Sequence, residues 1–182
     1  MLNPPNPALA GSLSSLGPVM QLSFLTRDMD KSIRYWTDVM GVGPFFRNEK
    51  IVLHDLRYRG EPTDVDFHTA MAYWGDLQIE LVEQRNDSPS IYRDSLEAGE
   101  EGLQHVCVLV DDLDEARAIC ERAGAPVVQE GVIPGGAGRF VYVETGGGPG
   151  TIVELMEAGP AMLRAFEMMR AAAHDWQEGR SG

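Results

Sequence analysis

Four polar side chains occupy matching places in two similar stretches of this chain. The stretch QLSFLTRDMDKSIRYW begins at Gln21, and its pattern returns in HVCVLVDDLDEARAIC, which begins at His105. Each copy later closes with a similar segment, LQIELVEQ carrying Glu80 and TIVELMEA carrying Glu154. One imidazole, two carboxylates and one amide oxygen form a ligand set suited to Zn, Ni, Co, Mn or Mg. The sequence therefore predicts a site for a divalent metal ion, of an identity that the residue types leave open.

A metal held in this way would be suited to carbonyl chemistry. Four protein ligands leave one or two coordination positions for water or a substrate, as catalytic metal sites require. The ion can polarise a carbonyl and stabilise the enolate or enediolate that forms when a neighbouring carbon loses a proton. A glutamate beside the metal is a natural base for that proton. The pattern thus indicates a metal-dependent isomerase, epimerase or lyase with a small-molecule substrate.

The neighbours of the four residues predict which way they point. Side chains alternate between the two faces of a strand, and apolar residues stand at odd offsets from each candidate: Leu22 and Phe24, Ile79 and Leu81, Val106 and Val108, Val153 and Leu155. The apolar face should bury against helices. The four candidates would then share the opposite, concave face of a curved sheet.

Each copy has the pattern of a βαβββ unit, and such a repeat must pack against its partner copy to bury its apolar face. The first copy predicts a strand over 19–26, a helix over 29–40 capped by Asp28, and strands near 50–58, 66–74 and 76–83. The second predicts a strand over 103–110, a helix from Asp111 or Asp112 to Arg122, and strands near 126–130, 139–145 and 151–157.

The predicted fold is α+β, with two βαβββ modules forming one curved mixed sheet like a cup. Helices cover its outer face, and an extra C-terminal helix follows. That last helix has an apolar stripe typical of core or of partner-facing surface. The predicted divisions are an arm (1–18), module one (19–84), a linker with about one helical turn (85–102), module two (103–158), and the C-terminal helix and tail (159–182).

Composition limits the setting and the partners. The 182 residues are 43% apolar and 24% charged, as in soluble globular proteins. No apolar run approaches the roughly 20 residues of a membrane span, and the N-terminus lacks the features of a secretory signal. The two cysteines, Cys107 and Cys120, lie outside CxxC motifs and indicate reduced thiols in the cytoplasm. A net charge of −13 argues against nucleic acid, anionic membranes and phosphate-rich substrates.

The motifs HVCVLVDDLDEA and TIVELME resemble those of the vicinal oxygen chelate superfamily, which includes glyoxalase I, methylmalonyl-CoA epimerase, extradiol dioxygenases and bleomycin-resistance proteins. The resemblance covers about residues 19–158. It implies that Gln21 and His105 are the metal ligands of the two first strands, and Glu80 and Glu154 those of the two last strands. It also implies that Glu154 abstracts the proton, with Glu80 as ligand or second base, and that the protein is a homodimer.

The resemblance divides between two kinds of enzyme. The segments SPSIYRDSLEAGEEGLQHVCVLVDD and GGAGRFVYVETGGGPGTIVEL are similar to methylmalonyl-CoA epimerases. Those enzymes usually have histidine at the position of Gln21 and glutamine at that of Glu80. The order Gln, Glu, His, Glu is instead similar to some glyoxalase I enzymes, yet the chain lacks the internal segments of their glutathione site. The substrate stays open at this stage.

Two further classes are weighed against these enzymes. An extradiol-type dioxygenase needs two histidines and one carboxylate around iron, and Gln21 in place of the first histidine argues against it. A non-catalytic, antibiotic-binding protein would use an acidic cup to hold a cationic drug. The complete ligand set argues against that reading.

Overall fold

The structure, a computed structural model, describes residues 11–49 and 51–180. Within these ranges the strands are β1 (Val19–Leu25), β2 (Phe46–Asn48), β3 (His54–Tyr58), β4 (Glu61–Pro62), β5 (Phe67–Trp74), β6 (Leu77–Gln84), β7 (Gly102–Leu109), β8 (Val127–Ile133), β9 (Gly138–Val143) and β10 (Ile152–Ala158). The helices are α1 (Met29–Arg34), α2 (Ile91–Glu97), α3 (Leu113–Arg122) and α4 (Pro160–Arg180). A 3₁₀ turn spans Leu13–Leu16, and a π-helical turn, Tyr35–Val39, continues α1. No helix in the described ranges is long and apolar enough to cross a membrane.

All the described strands join one sheet, in the order β2-β5-β6-β1-β7-β10-β9-β8-β3-β4. The two first strands of the repeat, β1 and β7, run antiparallel side by side at its centre. Each is flanked by the last strand of its own copy, because β6 pairs parallel to β1 and β10 parallel to β7. The predicted α+β fold, with two βαβββ copies in one curved mixed sheet, is confirmed.

One predicted strand of module one joins the other half of the sheet. The strand predicted near 50–58 is found as β3, which begins at His54 and pairs with β8 of module two. The strand beside β5 in module one is instead β2, which ends at Asn48 and lies before the predicted range. Strands β2 and β3 thus lie towards opposite ends of a curled, open sheet.

Helices α1 and α3 cover the outer face of the sheet, as the apolar alternation predicts. Asp28 caps α1 by accepting a hydrogen bond from the Lys31 amide, 2.9 Å away. Asp112 caps α3 in the same way, so of the two aspartates left open by the sequence it is the second that begins the helix. Each helix buries apolar side chains against the sheet: Met29 and Trp36 against Ile79 and Leu81, and Leu113 and Cys120 against Leu155. Full burial of one such side chain stabilises the fold by about 1.5–3 kcal/mol.

The inner face is filled by the other two helices. Helix α2 lies in the predicted linker, where about one helical turn was expected, and it packs Tyr92 and Leu96 into a cluster with Phe140 and Tyr142. We call this the α2 cluster. Because it also gathers Phe67 of β5 and Leu56 of β3 from opposite ends of the sheet, the sheet must curl around it.

Helix α4 fills the other half of the inner face. Its apolar stripe, with Phe166 and Ala173 buried, packs on Tyr73, Cys107 and Met156. We call this the α4 cluster. The stripe therefore belongs to the core of its own chain, one of the two roles that its periodicity allowed.

The predicted N-terminal arm is described only in part. Residues 1–10, like residues 181–182 at the other end, lie outside the described residues. In the part that is described, Leu13 and Leu16 of the 3₁₀ turn pack against the core beneath α3. This segment is thus docked on the outer layer of module two.

Glu157, near the end of β10, connects that strand to the start of α3 and to β9. Its Oε2 accepts from the Leu113 amide at 2.9 Å, at the start of α3, and from Arg139 Nη2 at 2.7 Å. The hydrogen bonds from Arg139 and from the Leu113 amide lower the pKa of Glu157 below its ordinary value of 4.5. Its contribution to stability is therefore present above pH 4.5 and is lost as the pH falls through the lowered pKa.

We expect Glu157→Gln to lower the free energy of unfolding at pH 7 by up to about 1 kcal/mol, because a third of the side chain is exposed and solvent screens the pair. Below pH 4 the difference from wild type should shrink. Urea unfolding between pH 3 and 7 measures both effects, with Glu167→Gln, an exposed glutamate of α4, as the control. An equal loss at every pH would contradict the role assigned to the Glu157 charge.

Candidate metal centre

The four predicted ligands lie on the four central strands, and all are buried. Their exposed fractions are 1% for Gln21, 7% for Glu80, 0% for His105 and 3% for Glu154. His105 Nε2 lies 3.5 Å from Glu80 Oε2 and 3.5 Å from Glu154 Oε2. The structure thus brings one residue from module one and two from module two into contact. Gln21 lies in the next row of the same face, opposite Gln78 on one side and Cys107 on the other.

Two irregularities in the β1–β7 ladder set the side-chain directions of Gln21 and His105. The register shifts between Val19 and Gln21, so that Met20 is an extra residue in β1. It shifts again where Ser23 pairs with His105 and Phe24 with Leu103, so that Gln104 is an extra residue in β7. The two shifts are related by the repeat, each directly preceding a first-strand candidate. A β-bulge turns side chains from their regular alternation, and such bulges occur beside functional sites.

The bulge at Gln104 lets two consecutive side chains meet on the inner face. Gln104 Oε1 lies 2.6 Å from His105 Nδ1, and because an amide oxygen can only accept, Nδ1 carries the hydrogen. The other ring nitrogen, Nε2, is buried and has no hydrogen-bond partner among the described residues. Metal-binding histidines are held in this manner, with one nitrogen donating to an oxygen and the other facing the ion.

Gln21 is oriented by a second relay. Its Nε2 donates to Gln78 Oε1 at 2.6 Å, and Gln78 Nε2 donates to the Tyr73 hydroxyl at 3.1 Å. The amide oxygen of Gln21 is left buried without a partner in the described structure, as is the Ser23 hydroxyl. An unsatisfied buried polar atom costs about 1–3 kcal/mol. A bound ligand that accepts the lone pairs of Gln21 Oε1 and His105 Nε2 would remove this cost.

The charge balance of the centre points the same way. Within the described ranges, His105 is the one ion-pair partner of either Glu80 or Glu154. Burial lowers the pKa of His105, but the Glu154 and Glu80 carboxylates outweigh it and raise the pKa to about 9. Even a protonated His105 leaves two buried negative charges facing one positive charge. Buried charges need compensation, so a further cation fits this site.

The residues present therefore suit a divalent ion: an imidazole nitrogen, two carboxylates and an amide oxygen, two of them with unpaired ligand atoms. Among the described His, Cys, Asp and Glu residues, one triad already has its ligand atoms within 4.8 Å of one another. It comprises His174, Asp175 and Glu178, exposed on α4. The ligand atoms of the buried centre are more widely spaced.

Two tyrosines complete the wall on the side of module two. Tyr142 pairs with Glu154 in the β9–β10 ladder, and its ring meets the His105 ring edge-on at 4.9 Å. The Tyr92 hydroxyl, from α2, lies 3.0 Å from that of Tyr142. Burial, together with the nearby carboxylates, raises the pKa of both phenols well above its usual range.

Sequence reasoning identified the four candidates but missed three residues that support them. Gln104 and Gln78 act on the candidates through hydrogen bonds, and Tyr92 comes from a segment read as a linker. The QH pair at 104–105 is the one available signal, since adjacent polar residues interrupt an otherwise alternating strand.

A cavity of about 560 Å³ lies beside the centre, although none of the four candidates lines it. Gln104 lines it, as does Ile152, the neighbour of His105 in the β7–β10 ladder. Its rim has more negative than positive groups: Asp94, Glu100, Glu101 and Glu144 with Arg59. Arg59 itself is engaged by Asp94 and Glu144. The volume suits a small molecule, and the charge favours a neutral or cationic one.

Residues 20–143 match the Glyoxalase/Bleomycin resistance protein/Dioxygenase superfamily. The match covers more than half of the chain, and the protein belongs to this superfamily. It includes Gln21, Glu80 and His105 and ends before β10, which carries Glu154. A comparison with curated proteins finds no match.

Solved structures share the fold at low sequence identity. A hypothetical protein from Bacillus halodurans C-125 aligns with a TM-score of 0.55 and 14% identity, covering 78% of this chain and 94% of its own. Methylmalonyl-CoA epimerase from Mycobacterium tuberculosis aligns with a TM-score of 0.54 and 18% sequence identity, covering 80% of this chain and 91% of its own. A Streptomyces coelicolor methylmalonyl-CoA epimerase variant in complex with 2-nitronate-propionyl-CoA aligns with a TM-score of 0.55 and 17% identity. The alignment covers 80% of this chain and 96% of the epimerase chain. These alignments establish the architecture.

The His105 ring provides a test of the geometry in the metal-free protein. Since Glu154 and Glu80 raise its pKa to about 9 against the effect of burial, Glu154→Gln and Glu80→Gln should each lower it. NMR titration of the ring protons measures the change, with Glu167→Gln as the control. A ring pKa that stays near 9 in Glu154→Gln would show that the carboxylate does not face the imidazole.

Proposed function

We propose that the protein is a metal-dependent isomerase, epimerase or lyase that removes a proton next to a carbonyl group. The observation that carries the proposal is a buried centre with two carboxylates, one imidazole, and ligand atoms that no described protein group satisfies. Gln21 Oε1, Glu80, His105 Nε2 and Glu154 would hold the ion. A divalent ion bound there supplies the polarisation of a substrate carbonyl and the stabilisation of the enolate.

The protein's own residues have separate tasks in this proposal. Gln104 keeps His105 Nε2 directed at the centre, and Gln78 does the same for the amide oxygen of Gln21. Glu154 would accept the proton from the carbon, with Glu80 as ligand or second base. The two carboxylates come from equivalent strands on either side of the repeat axis. Removal on one face and return on the other would give an epimerase, whereas return to the adjacent carbon would give a glyoxalase-type reaction.

The negative charge of the protein indicates which substrates suit the proposed site. Coenzyme A carries several phosphate charges, and the chain has a net charge of −13 and a mostly acidic rim around the 560 Å³ cavity. We therefore favour a small carbonyl compound without a phosphate-rich group, reached through that cavity. The same acidic rim supports a second candidate, a binding protein for a cationic small molecule.

We also propose a homodimer in the cytoplasm. Members of the superfamily are often dimeric, and α4 leaves Leu163 and Met168 exposed after its other face is buried. Cys107 and Cys120 are free thiols, both buried. Such thiols are typical of a reducing compartment.

Metal binding is the first expected property. In a His174→Ala background, which disrupts the exposed triad on α4, we expect one Co²⁺ or Zn²⁺ per chain and a thermal stability that rises with metal concentration. Gln104→Ala should weaken the affinity by about 10–100-fold, because the imidazole loses the group that orients it. Glu154→Gln should weaken it further, because a charged ligand is lost.

Competition with a chromophoric chelator measures these affinities, and His174→Ala alone should leave the buried site unchanged. A Glu154→Gln protein that binds as tightly as wild type would place the ion elsewhere. A wild-type protein that takes up no ion at this site would end the metal proposal.

Proton abstraction is the second expected property. We expect the metal-loaded protein to exchange a carbon-bound proton for deuterium in at least one member of a panel of 2-acyl thioesters and 2-hydroxy-carbonyl compounds. NMR in D₂O follows the exchange with and without chelator. Glu154→Gln should slow it by about 10²–10⁴-fold, as expected for loss of a general base. Exchange that survives both chelator and substitution would refute the mechanism, and tight binding without exchange would favour the binding protein.

A further inference from the structure

We propose that Tyr142, supported by Tyr92, is a hydrogen-bond donor to an anionic oxygen of the substrate, and that it orients the substrate towards module two. The inference deepens the proposed function and rests on it. It concerns ligands in which negative charge develops on an oxygen beside a carbonyl carbon, as in an enolate. Neither tyrosine is among the metal-ligand candidates.

The two phenols carry one more O–H group than their mutual contact can use. Two phenols bring two O–H groups into a buried wall, where their oxygens lie 3.0 Å apart. Only one hydrogen can occupy the space between the two oxygens, and neither oxygen has a further hydrogen-bond partner in the described ranges. Tyr92 is 2% exposed and Tyr142 5%. One O–H group is therefore unused in a setting where nearly all polar groups find partners.

The two phenols differ in their distance from the candidate metal centre. Tyr142 is the nearer of the two to the centre, since its ring centroid lies 4.9 Å from that of His105, against 6.3 Å for Tyr92. It is also the ladder neighbour of Glu154 on the inner face. Either phenol can donate the shared hydrogen bond, and in the proposed ligand-bound arrangement Tyr92 donates it to the Tyr142 oxygen. This leaves the Tyr142 O–H free to donate to a ligand, and the hydrogen bond from Tyr92 strengthens it as a donor.

The residues beside the two carboxylates differ between the two copies of the repeat. The residue paired with Glu80 in module one, equivalent to Tyr142 in module two, is Met71. Met71 packs in the α4 cluster and offers no donor. The ladder neighbour of Glu154 thus carries a hydroxyl group, whereas the ladder neighbour of Glu80 is apolar. A ligand with one anionic and one apolar side would bind in a single orientation.

The test uses Co²⁺ and acetohydroxamate, a small planar anion with two adjacent oxygens, in the His174→Ala background. Absorption of the bound Co²⁺ reports binding of the anion separately from uptake of the metal. We expect Tyr142→Phe to weaken acetohydroxamate binding by about tenfold or more, the usual effect of losing a hydrogen bond to a charged group. Its Co²⁺ affinity should stay within about twofold of the parent.

Tyr92→Phe should weaken binding less than Tyr142→Phe, because the donor remains and only its support is lost. Tyr35→Phe, which removes a hydroxyl from an exposed tyrosine of module one, is the matched control and should change nothing. If Tyr142→Phe does not fold, a Tyr92→Phe protein that binds acetohydroxamate as the parent does overturns the inference.

The outcomes also separate this inference from the proposed function. Co²⁺ uptake with equal acetohydroxamate binding in Tyr142→Phe and parent overturns the inference alone. The inference is likewise overturned if Tyr142→Phe loses Co²⁺ and anion together, or if the Co²⁺-loaded parent does not bind the anion. Absence of Co²⁺ at the buried centre overturns both.

Discussion

Two carboxylates buried beside one imidazole are the constraint on which the rest of this structure depends. Charges of one sign repel each other most strongly where water is excluded, and a fold tolerates them only with compensation. Here the compensation from described residues is one histidine, 3.5 Å from each carboxylate. The proton that His105 holds up to about pH 9 is the minimum that the pair requires. A divalent ion would meet the same requirement more fully.

The inner face is built around this demand. The α2 cluster lies on one side of the centre and the α4 cluster on the other, and together they exclude water from the four candidates. Bulges at Met20 and Gln104 then turn the first-strand side chains inward. Two glutamines, Gln78 and Gln104, use up one hydrogen-bonding atom of Gln21 and of His105 and leave the other unpaired. The packing of the two clusters and the hydrogen bonds of the two glutamines thus leave Gln21 Oε1 and His105 Nε2 available as ligand atoms.

The repeat is symmetric in its backbone and asymmetric in its chemistry. Equivalent strands carry Gln21 and His105, and the ladder neighbours of the two carboxylates are Met71 and Tyr142. The same asymmetry separates this chain from the usual epimerase pattern, which is why membership of the superfamily leaves the substrate open. The cavity beside the centre is asymmetric in charge as well, since four acidic residues and one arginine line it.

The sequence by itself determined the fold and the candidate set. Strand alternation and helix capping are local signals, so they placed the four residues on one face and α1 and α3 on the other. The limits of the modules, arm and linker stay predictions. Only the tertiary structure decided that β3 crosses to module two, that α4 covers its own sheet, and that Gln104 and Tyr92 reach the centre. Each of these features depends on contacts between residues distant in the chain or on one bulged residue. Long-range contacts and single bulges produce no periodic sequence pattern from which they could be predicted.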